Sequence, residues 1–294
     1  MRGLFWFSSK EFHGCAHLDS FTFVPDMPHL TREVCLITPI LSLHQLSYSY
    51  ESSSVSKRSP IIDHLSLKVH QGEFVSIIGP SGCGKSTLFK LIAGLLEPTG
   101  GVITWTGGEV SKRLGSISYM PQQDLLLPWR TVRDNCLLPW ELKKNLGSRP
   151  KQLAFIMDML ERFGLGRWAG AYPHELSGGM RQRAAFLRTL AAGGNLMLLD
   201  EPFGALDALT KREMHHWLLS LWGELQRTIL FITHDLEEAL LLSDRILLMP
   251  RGGGALEEMN VDLPRPRQPG VHATARFLEL RMELEQRLTG AVFR

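Results

Sequence analysis

Gly79-Pro80-Ser81-Gly82-Cys83-Gly84-Lys85-Ser86 has the spacing GxxxxGK[ST]. Before it runs Phe74-Val75-Ser76-Ile77-Ile78, a short β-branched and aromatic run of strand character, and after it Lys85 to Leu96 has helical spacing that stops at Glu97-Pro98. Strand, glycine-rich loop and helix in that order form a phosphate cradle: the glycines let backbone N–H groups wrap an anion, and the helix N-terminus adds the positive end of its dipole. Lys85 is placed to reach the terminal phosphates of a nucleoside triphosphate, and the Ser86 hydroxyl is placed for Mg²⁺. Gly79 through Ser86, with Thr87 behind them, are the expected triphosphate contacts. A glycine-rich turn with a chance Lys-Ser is the plain alternative, and the flanking strand and helix count against it.

Working outward, Leu196-Met197-Leu198-Leu199-Asp200-Glu201 reads as a buried strand that delivers two carboxylates at its C-terminal end, where open parallel sheets bind their ligands. Asp200 suits Mg²⁺ held through its water shell, and Glu201 suits orienting or deprotonating an attacking water. Thr228 to Ile232 and Arg245 to Met249 are further short apolar runs of buried parallel-strand type, the first preceded by a helical stretch from Ala208 to Gln226. Upstream, Leu41 to Val69 alternates in two runs around the Ser-rich break Glu51 to Pro60, which predicts an antiparallel edge sheet. Between the sheet segments, roughly Leu125 to Gly194 reads as a helical insert; one of its helices starts at Pro150 with Leu153, Ile156, Met157, Leu160 and Phe163 on a shared face. Leu263 to Pro269 reads as an extended connector into a last amphipathic helix carrying Phe277, Leu280, Leu284 and Leu288.

Composition narrows the class without naming it. A chain of 294 residues, 44% hydrophobic and 21% charged, can bury a full core. A net charge of +2 carries no electrostatic footprint for nucleic acid, and none is expected as a partner. Cys15, Cys35, Cys83 and Cys136 have neither CxxC nor metal-ligand spacing, as expected in a reducing, cytoplasmic setting. Met1 to Phe7 lacks a signal-peptide pattern, and no run approaches the length of a spanning helix, so any membrane role goes through a partner.

Leu176-Ser177-Gly178-Gly179-Met180-Arg181-Gln182-Arg183 closely resembles the signature motif of ATP-binding cassette (ABC) ATPases. Alone, Ser-Gly-Gly is an ordinary helix cap; between the phosphate loop and Asp200 it carries the resemblance, which extends over about residues 41 to 270. The resemblance implies an α/β fold: a P-loop NTPase core with a mainly parallel sheet, an antiparallel β-subdomain and an α-helical insert at about 125–194. It leaves 1–40 as an N-terminal extension, since such cassettes start near the first strand, so a mis-set start, for example at Met27, is one reading; residues 271–294 form a C-terminal helix. It also implies Gln122 as the loop glutamine that senses Mg²⁺ and water, with Gln123 second, and Ser86, Gln122 and Asp200 around the metal. Glu201, His234 and Gln122 become the catalytic set, Asp207 the loop residue that meets its partner, and Ser177, Gly178, Gly179 and Met180 the cap on the opposite subunit's ATP. Tyr50 is the expected adenine-stacking ring, with Tyr48 as the alternative.

Leu126-Leu127-Pro128-Trp129-Arg130-Thr131-Val132 resembles a segment of importer ATPases for nitrate, sulfonate and taurine, and of those for thiamine-precursor pyrimidines. That resemblance implies a homodimer on the cytoplasmic face of the membrane that binds ATP and Mg²⁺ and works with integral-membrane permease subunits and, indirectly, an extracytoplasmic solute-binding protein. Exposed Leu126, Leu127 and Trp129 would form the permease socket, unless Trp129 fills the core of the insert. The reading from another class is a non-transport ABC ATPase with a mechanical or regulatory task.

Overall fold

The computed structural model describes residues 39–50, 60–105, 114–143, 149–225, 227–267 and 270–292. Nearly all of the N-terminal extension and of the Ser-rich break lies outside the described residues.

Among the described residues nine strands form two sheets. Strands β1 (Pro39–Tyr48), β2 (Ile62–His70) and β4 (Gly100–Trp105) make an antiparallel sheet in the order β2-β1-β4. Strands β3 (Phe74–Ile78), β5 (Ser118–Met120), β6 (Leu196–Asp200), β7 (Thr228–Ile232), β8 (Arg245–Leu248) and β9 (Glu257–Asn260) make the second, in the order β5-β6-β7-β3-β8-β9. All neighbours in it are parallel except β8 and β9. The continuous apolar runs of β6 and β7 follow from burial on both faces. Leu196, Leu198, Leu230 and Ile232 face the core shared with the antiparallel sheet and with Leu88, Phe89, Leu91 and Ile92 of α1 (Lys85–Ile92). Met197, Leu199, Ile229 and Phe231 face the core built with the helices.

Those helices are α2 (Val132–Leu142), α3 (Arg149–Arg162), α4 (Gly178–Ala191) and α5 (Ala208–Leu225), followed by the short α6 (Leu236–Leu242). Helix α7 (Ala275–Val292) packs Phe277, Leu280 and Leu284 against Ala239, Leu240, Ile246, Leu248 and Met259 in a third core.

Two expectations need correction, and a third gains detail. The helix after the phosphate loop ends at Ile92, because the left-handed Gly94 (φ 77°) breaks the chain direction before Glu97-Pro98. The expected connector is without helix or strand over 263–267 and is also packed: Arg267 is buried and donates to Leu241 O (2.7 Å) and Ser243 O (2.6 Å), and Arg265 donates to Leu242 O, so two guanidinium groups cap the C-terminal end of α6. The antiparallel sheet gains β4 as its third strand, and β1 is more buried than a half-exposed edge strand.

Candidate active site at the strand edge

Register places the site. In β6 and β7, Asp200 is level with Ile232; in β3 and β7, Ile77 is level with Ile232; in β5 and β6, Met120 is level with Leu199. The loops that leave β5, β6, β7 and β3 therefore open side by side at one edge of the sheet, bringing together Gln122, Glu201, His234 and Gly79–Ser86.

Backbone demands explain the glycines of the phosphate loop. A Cβ on Gly79 would lie 2.3 Å from Met249 O, and Gly84 caps α1 at φ 107° with Ile61 and Met249 beside it. Lys85 Nζ donates to Gly79 O (2.8 Å) and Pro80 O (3.0 Å), so the ammonium is held inside the turn. Asp200 is 2% exposed, and burial lifts its carboxyl above the usual range; a hydrogen bond from Ser86 and the Lys85 and Lys90 charges pull it down, while Glu201 adds to the lift.

A cation would relieve that burial, and the Ser86 hydroxyl, Asp200 carboxylate and Gln122 amide oxygen are hard donors suited to Mg²⁺. Among the described residues no group of three or more His, Cys, Asp and Glu side chains could hold a metal. Mg²⁺ fits this: it is normally held by one or two protein oxygens together with phosphates.

Glu201 adopts φ 49°. Its N–H donates to Ile232 O (3.0 Å), and its Oε2 lies 3.0 Å from Gln122 Nε2, which donates to it, and 3.5 Å from His234 Nδ1. Gln122, not Gln123, makes this contact, and the His234 side chain is 69% exposed on the same cleft. That cleft, about 560 Å³, is lined by Gln122, Gln123, Asp124, Leu125, Gly178, Arg181, Gln182, Glu201, Gly204, Ala205 and His234. The phosphate-loop residues are not among its walls. Ser177 caps α4, its hydroxyl accepting from Met180 N (3.3 Å), and Leu206 Cδ2 lies 3.1 Å from where Gly179 would carry a Cβ. Asp207 Oδ1 accepts from Leu209 and Thr210 N–H at the start of α5, and a hydrogen bond from the Thr210 side chain, together with these backbone bonds, holds its carboxyl below the usual range.

Tyr50 and Tyr48 separate by exposure. Tyr48 is 8% exposed in the core, whereas Tyr50 is 45% exposed with its hydroxyl 3.4 Å from Thr87 Oγ1, beside the end of the phosphate loop. In the segment after Gln122, Leu126 is buried in the helical core, contrary to expectation, because the chain turns inward there; Trp129 is 71% exposed and does not fill the insert.

Several supports escaped sequence reasoning. Asn135, fully buried, accepts from Leu127 N and donates to Leu127 O, Arg130 O and Thr131 O, fixing the loop that presents Trp129. Arg181 reaches Asp124 Oδ2 (3.1 Å) and Arg188 reaches Leu125 O (2.7 Å) and Asp124 O (2.6 Å), tying α4 to the segment after Gln122. Their separation of two helical turns was the only signal in the sequence. Lys211, His215, Thr233, Asp235 and Glu238 form a polar cluster behind His234.

A phosphate loop, a buried aspartate and an adjoining glutamate at one strand edge define a nucleoside triphosphatase site. A sequence profile described as "ABC transporter" matches residues 62–204. The formylaminopyrimidine import ATP-binding protein ThiZ of Halalkalibacterium halodurans is 48% identical over 214 residues, covering 72% of this chain and 80% of that protein. The nitrate import ATP-binding protein NrtD of Synechococcus elongatus is 40% identical over 225 residues, 76% of this chain and 82% of that protein. The nitrate import ATP-binding protein NrtC of the same organism is 44% identical over 223 residues, but these span 75% of this chain and 34% of that protein. Among solved structures, the dimeric structure of a bacterial ABC transporter cassette superposes with a TM-score of 0.69 at 29% identity, covering 76% of this chain and 100% of that one. A dimeric post-hydrolysis state of such a cassette, bound to ADP and Pi, gives a TM-score of 0.69 at 28% identity with the same coverage. The chain belongs to the ABC transporter family, with the nucleotide-binding fold of its cassettes, and is an ATPase that binds ATP with Mg²⁺.

Proposed function

We propose that the chain is the ATP-hydrolysing subunit of an importer. It works as a homodimer on the cytoplasmic face of a membrane, through separate integral-membrane permease subunits supplied by an extracytoplasmic solute-binding protein. Among the described residues no helix is long and apolar enough to cross a membrane, so contact with the bilayer falls to the permease. The names of the relatives, which import formylaminopyrimidine and nitrate, support a small solute of one of these two kinds. The observation that carries the importer reading is Trp129, held 71% exposed on a loop fixed by Asn135 a few residues beyond Gln122. An exposed indole on a loop held in place by Asn135 is an anchor for a partner helix.

The chemistry rests on the chain's own groups. The phosphate loop and Lys85 bind the triphosphate, Tyr50 stacks on adenine, and Glu201, oriented by Gln122, takes the proton of the attacking water, with His234 on the γ-phosphate. When bound between Ser86, Gln122 and Asp200, Mg²⁺ supplies neutralisation of phosphate charge. In one chain the signature residue Gly178 shares a cleft with Glu201 and His234 but not with the phosphate loop, which supports Ser177–Met180 capping ATP bound to a second copy, with Asp207 at the contact between copies. Residues 41–270 then act as the nucleotide-binding domain, with 125–194 as its helical insert, 271–294 as the C-terminal helix and 1–40 unassigned.

Purification of the tagged chain from detergent-solubilised native membranes tests this reading. An integral-membrane permease is expected to co-purify with wild type and to be lost with Trp129→Glu, while ATP turnover of the isolated subunit stays within about twofold, since an exposed site carries little stability. A chain that turns over ATP and recovers no membrane protein contradicts the importer and favours the non-transport ATPase.

A further inference from the structure

Gln182 stands in the second turn of α4, five residues beyond the cap Ser177, and is 6% exposed. Both ends of its amide are engaged in the turn that carries the base. Nε2 donates to Glu201 O at 3.0 Å, and Oε1 accepts from Ala205 N at 3.0 Å. Glu201 O also accepts from Gly204 N (3.2 Å), and Glu201 N donates to Ile232 O (3.0 Å). The base therefore sits in a left-handed turn (φ 49°) whose N-terminal side is tied to β7 and whose C-terminal side is tied to α4 through one side chain. The same side chain fixes Ala205, two residues before Asp207.

We infer that Gln182 is a positioning residue: it transmits the seating of the signature helix to the Glu201 carboxylate and to the loop before Asp207 of the same chain. The inference rests on Glu201 being the base. Loss of the amide frees the backbone on one side of a residue whose side chain must meet the attacking water, and small displacements of a base are costly in rate. Both polar ends of Gln182 are engaged by the backbone of the turn, so its removal should act on turnover and not on the binding of ATP.

The test uses Gln182→Leu and Gln182→Glu in the full chain, beside Glu201→Gln. Gln182→Leu keeps the volume and removes both bonds; kcat should fall at least about tenfold, while KM, the affinity for a fluorescent ATP analogue and the thermal midpoint stay close to wild type. Gln182→Glu, when protonated, restores both bonds, its O–H donating to Glu201 O and its C=O accepting from Ala205 N–H; when ionised it loses the donor. Position 182 is buried, which lifts a carboxyl there above its ordinary value of about 4.3, so turnover of this variant relative to wild type should rise as the pH is lowered from 8 to about 5.5, and that of the leucine variant should not.

Wild-type kcat in Gln182→Leu, or a loss that appears only as weaker ATP binding or unfolding, or a flat pH ratio for Gln182→Glu, overturns the inference. Glu201→Gln separates the two levels of failure. If it retains turnover, the base assignment itself is wrong; if it is inactive while Gln182→Leu is fully active, only the role of Gln182 falls.

Discussion

Glu238 is a carboxylate with 4% of its side chain exposed and cationic or donor groups on each side: Lys211 Nζ at 2.7 Å, His215 Nε2 at 3.3 Å and Thr233 Oγ1 at 2.5 Å. Lys211 also pairs with Asp235, the cap of α6, so the segment flanking His234 is anchored to α5. Burial pushes the Glu238 carboxyl up, but the hydrogen bonds from His215, Lys211 and Thr233 and the Lys211 charge outweigh it and hold the group below its ordinary value of 4.5. An acid whose folded value is depressed stabilises the fold fully above its unfolded value, and that stability is lost as pH falls through the folded value. Glu238→Gln should therefore lose about 2–4 kcal/mol at pH 7, leaving Lys211 with Asp235 alone, and show a shallower fall in stability below pH 4.5 than wild type. Urea denaturation across a pH series measures both; an unchanged acid limb would contradict the network. Glu201 was legible in the sequence because it ends an apolar strand run, and Gln122 and His234 were legible only through the resemblance to ABC ATPases. The sequence concealed Gln182, Asn135 and Glu238, whose partners lie on other elements, a relation without local periodicity or motif.

At the scale of elements, the long apolar runs were legible because β6 and β7 divide their side chains between two cores. The strands missed were β4, β5 and β9: β5 has three residues and β9 four, too short to show alternation. The end of α1 was overrun because Gly94, not the proline, stops it. Helix α7 was predicted from its face, but the seat of that face, on α6 and the β8–β9 pair, is a matter of packing. Phe277, 1% exposed there, anchors α7. Phe277→Ala should cost about 3–5 kcal/mol and lower the denaturation midpoint. Since α6 begins just after His234, protection of the Ala239–Leu242 amides from hydrogen exchange should fall with it; unchanged protection would show that α7 does not support α6.

For the whole molecule, two sheets and a helical layer bring the loops after β3, β5, β6 and β7 to one edge, and Gly178 of the signature segment lines the cleft that also holds Gln122, Glu201 and His234. Under the proposed function, hydrolysis takes place between two copies, with Ser177–Met180 of one capping the ATP held by the phosphate loop of the other. Phosphate release and size-exclusion chromatography of Glu201→Gln beside wild type, with ATP and Mg²⁺, test this most directly. Phosphate release by the variant should drop at least about 100-fold, the usual reach of a general base, and an ATP-dependent dimer absent from hydrolysing wild type should accumulate. Turnover that persists in Glu201→Gln would contradict the assignment of Glu201 as the base and the site built around it.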